Sequence, residues 1–408
     1  MANVLFINSG SPGHLNPTVA LCKELVERGE NVVYYICDQF KDKLDDTGVE
    51  VRTLPTEEIM ARFRSYDEHH LFNVINGLLK TADVILPQIL AETKDEHYDY
   101  MIHDSMFSCG YLIAQKLNIP AVSSISSFAH SKESFKYFLE KLTQTVDVNE
   151  ITQADETFDE LKAHIENTYD VEVASRFEVM NNPGDFNICY VMKGFQMDYQ
   201  QFDAQRYTFA GPSVLQPQPS GFMEEIDQSR PIVYISLGTV FNENIAFFNK
   251  CFKALADVDA SIVVSIGTTN DLSDFDDVPD NFVIKEYVPQ TELLQYTSLF
   301  LTHAGMNSAN EAMMMNVPML AFPQSADQPV VAQRIANLNI GHHINAEAIT
   351  PEQLNCAVLD MLTNKTYYQR HINKLKRVQQ LDKPGYKYAA EQILNFRNNL
   401  SVKSNIST

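Results

Sequence analysis

Residues 299–328, LFLTHAGMNSANEAMMMNVPMLAFPQSADQ, carry the densest set of groups able to hold an anion and a polyol together. Leu299 to Thr302 is a short apolar strand, His303-Ala304-Gly305 a tight turn, and Asn307 and Ser308 open an Ala/Met-rich helix. Unbonded N–H groups and the positive end of the helix dipole therefore meet beside an imidazole, a combination that favours a diphosphate. Glu311 shares a helix face with Asn307 and Ser308, about 5–6 Å along the axis by helical rise. Its carboxylate can accept both hydroxyls of a ribose. After a second strand, Met319 to Phe322, the loop Pro323-Gln324-Ser325-Ala326-Asp327-Gln328 offers a carboxylate and an amide suited to sugar hydroxyls.

A group able to transfer a proton lies near the N-terminus. Gly13-His14-Leu15-Asn16-Pro17 sets a histidine between the first strand and its helix, with Pro17 in the first helical turn, where proline is favoured. A helix start disfavours the imidazolium and keeps the ring neutral, the state that can take a proton from a hydroxyl. Asp104 follows the strand Tyr100-Met101-Ile102, and a doubly wound sheet can bring the carboxyl ends of these two strands together. Its carboxylate can then hold one ring nitrogen of His14 and stabilise the imidazolium. His103 is a rival base, although alternation along a strand points it to the side opposite Asp104.

These groups need elements to position them, and the chain supplies an α/β alternation. Val4–Asn8, Val32–Ile36, Val49–Leu54, Tyr100–Ile102 and Ala121–Ile125 read as strands, with helices at 16–28 (closed by Gly29), about 70–95, and 108–117. Such alternation implies a parallel sheet covered on both faces. Residues 130–180 break the rhythm with amphipathic helical patterns rich in Phe and Leu. In a parallel-sheet domain an excursion of this kind is expected over the carboxyl ends of the strands. Residues 211–231, dense in Pro, Gly, Ser and Gln, read as a linker. The alternation then restarts with Ile232–Ser236, a helix at about 243–256, Ser261–Ile266 and Phe282–Lys285.

The order His303–x–Gly305–x–Asn307–Ser308–x–x–Glu311, followed by Asp327–Gln328, resembles the donor-binding signature of the UDP-dependent glycosyltransferases of family one, which include bacterial macrolide glycosyltransferases. Tyr287-Val288-Pro289-Gln290 looks like that family's nucleobase-binding segment, with Tyr287 where plant members usually carry Trp. Ala304 stands where many members have a second Gly. The resemblance places Ser236, Gly238 and Thr239 near the diphosphate, and assigns His14 as the catalytic base with Asp104 as its activating carboxylate.

It also implies the GT-B architecture: two doubly wound, Rossmann-like parallel-sheet domains facing across a cleft. The boundaries expected are 1–210 for the acceptor-binding domain, 211–231 for the linker, 232–383 for the nucleotide-sugar-binding domain, and 384–400 for a helix crossing back to the first. The implied reaction is inverting transfer of a hexose, glucose by the Asp-Gln pair, from a UDP-sugar to a hydroxyl of a hydrophobic small molecule such as a macrolide, flavonoid or other phenol. No Asp-x-Asp run occurs within residues 299–328, so helix-end N–H groups and His303, and no metal ion, are expected to neutralise the leaving diphosphate. A UDP-sugar epimerase on the same two-domain fold and a non-catalytic nucleotide-sugar-binding protein are the competing readings. The presence of both the donor signature and the His14–Asp104 pair favours the enzyme.

Composition is consistent with this reading. The 408 residues exceed what one core supports. The formal charge of −22 argues against nucleic acid and anionic membranes as partners. It also repels the donor, whose binding must therefore rest on local positive elements. Six scattered cysteines without a Cys-x-x-Cys pair read as buried thiols in a reducing compartment. The start MANVLFINSG reads as a first strand and not a signal peptide. No stretch reads as the roughly 18–20 apolar residues that span a bilayer, so a cytoplasmic enzyme is expected.

Overall fold

A computed structural model describes residues 1–408 apart from 9, 67–69, 108, 144–145, 239–243, 276–277, 326 and 407–408. The chain forms two compact units. One comprises Met1–Val191, Gln196–Val214 and Leu381–Thr408, the other Met192–Phe195 and Leu215–Gln380.

The first unit is built on seven parallel strands: β1 (Asn3–Ile7), β2 (Asn31–Cys37), β3 (Glu50–Leu54), β4 (Tyr100–Asp104), β5 (Ala121–Ile125), β6 (Phe186–Cys189) and β7 (Tyr207–Phe209). Their order in the sheet is β3-β2-β1-β4-β5-β6-β7. The near-continuous apolar runs are required because both faces are covered. Leu5 and Ile7 join Tyr35 and Met101 in a core on one face, while Val4 and Phe6 join Tyr34 and Ile102 on the other. The helices here are α1 (Pro12–Glu27), α2 (Thr56–Phe63), α3 (Leu71–Lys80), α4 (Ala82–Glu92), α5 (Cys109–Leu117), α6 (Lys132–Leu142), α7 (Val148–Tyr169) and α8 (Arg176–Asn181).

Two expectations are corrected here. Helix α1 begins at Pro12 and not at 16, with extended Ser11 as its N-cap, so His14 lies inside the first turn and Pro17 lies within the helix. Pro12 is the residue whose fixed φ suits the helix start. Leu71–Glu92 is apolar and long enough to cross a bilayer by length and composition. It is folded as two helices, α3 and α4, that bury Ile75, Leu79, Ile85, Leu86 and Ile89 in the core.

The second unit repeats the plan with six parallel strands: β8 (Ile232–Ser236), β9 (Ser261–Ser265), β10 (Phe282–Lys285), β11 (Thr297–Thr302), β12 (Met319–Ala321) and β13 (Gly341–His343). Their order is β10-β9-β8-β11-β12-β13. Helices α9 (Ile245–Leu255), α10 (Gln290–Leu294), α11 (Met306–Met314), α12 (Gln328–Asn337), α13 (Pro351–Thr363) and α14 (Lys365–Gln379) surround it. The last helix, α15 (Gly385–Ile406), belongs to the first unit, where Ala389, Ala390 and Ile393 share a core with Leu21 and Leu25 of α1.

In each sheet the winding reverses at one place. β1 and β4 are neighbours in the first, β8 and β11 in the second. The loops leaving such a pair diverge and open a crevice at the carboxyl ends of the strands.

All six cysteines are free. Five are buried as expected, but Cys356 on α13 is exposed, which corrects the reading of a uniformly buried set.

Candidate active site

At the β1/β4 reversal the sheet register sets Ile7 opposite His103. The turn after β1 therefore stands beside the last residue of β4, Asp104. His14 Nδ1 lies 2.7 Å from Asp104 Oδ2. The Asp104 side chain is 1% exposed and that of His14 17%. The other carboxylate oxygen, Oδ1, accepts the Met106 backbone N–H at 2.7 Å. An acceptor-only carboxylate requires Nδ1 to carry the ring proton, which leaves the lone pair on Nε2. The backbone carbonyl of His14 is held as well, by Asn8 Nδ2 at 3.3 Å, while Asn8 Oδ1 accepts from Gly10 N at 2.9 Å. Asn8 was not singled out from sequence; its place between the first strand and the Gly-Ser-Pro loop was the available signal.

His103, the rival, is a core residue. It is fully buried, burial pushes its pKa down to about 4, and its Nδ1 is 3.2 Å from the Asp104 carbonyl oxygen. A Cβ added at Gly110 would stand 2.3 Å from His103 Cβ, so helix α5 packs directly on this side chain.

At the β8/β11 reversal, Thr302 pairs with Ser236, so the turns that follow the two strands lie side by side. His303 fills the space between them. A Cβ at Gly238 would meet its Nε2 at 2.7 Å, and one at Gly305 would meet it at 2.4 Å. Both positions must be glycine for the ring to fit, and Gly238 additionally has φ +83°. Ser236 Oγ accepts from Gly238 N at 3.2 Å and fixes that turn. Ala304 adopts φ +63°, the left-handed conformation that explains why a glycine suits this place. Gly305, extended, is the N-cap of α11, and the helix proper opens at Met306, with Asn307 and Ser308 in its first turn.

Burial pushes the His303 pKa down to about 4, against smaller opposing effects of the Ser236 carbonyl and Asp327. The ring is thus neutral near pH 7. In the free protein it therefore has one N–H to offer, beside the helix-end N–H groups.

Gln290 begins α10 and ties the next part together. Its Nε2 donates to Glu311 Oε2 at 2.7 Å and to Ser308 Oγ at 3.2 Å, while Tyr234 OH donates to its Oε1 at 3.3 Å. Burial pushes the Glu311 pKa up to about 7, opposed by the Gln290 hydrogen bond. Val288 is buried and Tyr287 is 76% exposed. Gln328 is also buried, and its Oε1 accepts from Gln324 N at 2.8 Å and Ser325 N at 3.2 Å. That oxygen orders its own loop. Asp327 caps α12 without a side-chain cap bond. Thr239 lies outside the described residues. Among the described residues no group of three or more His, Cys, Asp or Glu side chains is placed to hold a metal ion.

Two doubly wound units, each with polar groups gathered where its sheet reverses, make up the GT-B architecture. The fold matches the glycotransferase of kitacinnamycin (TM-score 0.82, 22% identity, 97% of this chain and 98% of that one) and CalG4, the calicheamicin glycosyltransferase (TM-score 0.82, 24% identity, 98% and 99%). Residues 4–94 match the glycosyltransferase family 28 N-terminal domain, and 249–388 the erythromycin biosynthesis protein CIII-like C-terminal domain. The chain is 32% identical over 401 residues to the uncharacterized UDP-glucosyltransferase YojK of Bacillus subtilis, covering 97% of each. It is 32% identical over 400 residues to the NDP-glycosyltransferase YjiC of the same organism (98% of each). To the demethyllactenocin mycarosyltransferase of Streptomyces fradiae it is 29% identical (89% of this chain, 80% of that one). The chain belongs to family one of the nucleotide-sugar-dependent glycosyltransferases, with the bacterial macrolide glycosyltransferases, and is an enzyme of that class.

Proposed function

We propose that this enzyme transfers glucose from UDP-glucose, with inversion, to a hydroxyl of a hydrophobic small molecule, a macrolide, flavonoid or other phenol. The single observation that carries the mechanism is the buried Asp104 carboxylate on Nδ1 of His14, which leaves Nε2 as the base. His14 Nε2 takes the acceptor's proton, and the acceptor oxygen forms its bond to the anomeric carbon on the face opposite the diphosphate. The bond to the diphosphate oxygen breaks and UDP departs with the electron pair. Asp104 stabilises the imidazolium that results. The relative named as a UDP-glucosyltransferase supports the donor class, and the one named as a demethyllactenocin mycarosyltransferase supports a small-molecule acceptor.

The donor is read onto the second unit. The diphosphate lies against the start of α11, with the Ser236–Gly238 turn, Thr239, Gly305 and the His303 N–H. Asn307 and Ser308 flank it from the first turn, and the ribose hydroxyls bond Glu311. The base lies over Val288 and Gln290, and the glucose hydroxyls bond Asp327 and the Gln328 amide. Residues 1–210 then bind the acceptor and 232–383 the donor, joined by 211–231.

Mass spectrometry after incubation with several UDP-sugars and a mixed panel of phenols and macrolides tests the reading. Addition of one hexose to an acceptor is expected, with UDP-glucose the best donor. Interconversion of the UDP-sugars with no acceptor product would instead select the epimerase.

A further inference from the structure

The helical excursion of the first unit, α6 to α8, ends at a residue that reaches back to the turn carrying Asp104. Asn182 is the C-cap of α8, with φ 39° and ψ 57°, and is fully buried. Its Nδ2 donates to the Asp104 carbonyl oxygen at 3.3 Å and to the Phe107 carbonyl oxygen. Its Oδ1 accepts the Tyr111 N–H at 3.2 Å, in the first turn of α5, where helix N–H groups have no partner within the helix. The same four-residue turn is closed by Phe107 N on the Asp104 carbonyl at 3.2 Å, and it delivers Met106 N to Asp104 Oδ1.

We infer that Asn182 is a positioning residue for the His14–Asp104 pair: its amide clamps the turn that aims the Asp104 carboxylate at His14 Nδ1. The inference rests on the proposed role of His14 as base. Only a primary amide on a short stem fits, because the site uses both N–H donation and oxygen acceptance in a buried place where an unmatched polar group is costly. Asparagine also tolerates the left-handed backbone that most residues resist. Aspartate has the same shape but no N–H, and would set a carboxylate against two carbonyl oxygens. Asn182 also joins α8 to α5; what distinguishes positioning is that the loss falls on proton transfer.

The test uses the full chain with UDP-glucose as donor and two acceptors, 2-phenylethanol and 4-nitrophenol, together with NMR of the His14 ring. Asn182→Gly keeps the left-handed backbone accessible and removes the amide. We expect kcat on the alcohol to fall about tenfold or more, in line with the sensitivity of catalysis to small misplacements. KM for UDP-glucose should be unchanged, and transfer to the acidic phenol should change little. The His14 Nδ1–H resonance should move upfield as its bond to Asp104 loosens. Asn182→Asp should not restore the alcohol rate. An unmoved His14 resonance in Asn182→Gly, equal losses on both acceptors, or a wild-type rate in Asn182→Asp would each overturn the inference. Full alcohol activity in His14→Ala would instead overturn the base assignment itself, and the NMR measurement would still report whether Asn182 positions the pair.

Discussion

His14 and Asp104 are 90 residues apart in the chain and their side chains meet at 2.7 Å, because β1 and β4 are adjacent where the sheet reverses. An imidazole on a helix start and a carboxylate on a strand end become one unit only through that adjacency.

His14→Ala is expected to cut transfer to an aliphatic alcohol by about 10² or more, the scale of general-base catalysis, with donor affinity little altered. Asp104→Ala should lose less, since it orients the ring and stabilises its charged form. Because Asp104 acts through His14, the double variant should be hardly worse than His14→Ala. Steady-state kinetics on all three decide it, and strictly additive losses would break the pairing.

If Glu311 holds the ribose as proposed, its raised pKa, about 7, makes donor binding depend on pH. Hydroxyls donate to the ionised carboxylate, so binding must release the proton that the free site holds below pH 7. Affinity for UDP-glucose, whose diphosphate does not titrate in this range, should fall by about tenfold per pH unit below 7. Glu311→Gln should flatten the dependence and weaken binding overall. The free variant should also lose stability less between pH 5 and 8, because the folded wild type holds its proton more tightly than the unfolded chain and is destabilised as that proton leaves. Calorimetry in two buffers of different ionisation enthalpy measures the release directly; a pH-independent affinity would remove Glu311 from the ribose site.

The contact of His303 with two glycines gives a steric test. A methyl group at Gly305 would stand 2.4 Å from Nε2, and overpacking of this kind costs about 1–3 kcal/mol. Gly305→Ala should therefore displace the ring and weaken UDP binding. Gly238→Ala should be worse for stability, since it also strains a left-handed backbone. Thermal melts paired with UDP titrations separate the two effects. Unchanged UDP affinity in Gly305→Ala would detach His303 from the diphosphate.

If helix-end N–H groups and the His303 N–H suffice for the leaving diphosphate, a chelator should leave the transfer rate almost unchanged. Activity lost in chelator and restored by magnesium or manganese would contradict the donor site described.

What the sequence determined by itself was local. The strand Ile232–Ser236, the turn around Gly305, and the shared helix face of Ser308 and Glu311 follow from periodicity and spacing, because such features depend on residues a few positions apart. The excursion at 130–180 was legible as helix, yet the reach of Asn182 to Asp104 was not, because it joins residues 78 apart in the chain. Helix α1 was misplaced at its start because two prolines, Pro12 and Pro17, compete for one role that only the folded loop assigns. Tertiary structure alone decided that His303 is neutral in the free protein, that Glu311 titrates near 7, and that Gln328 turns its side-chain oxygen onto its own loop. Those properties come from burial and from partners such as Gln290 and Ser325, and the degree of burial at a site is set by every element packed around it.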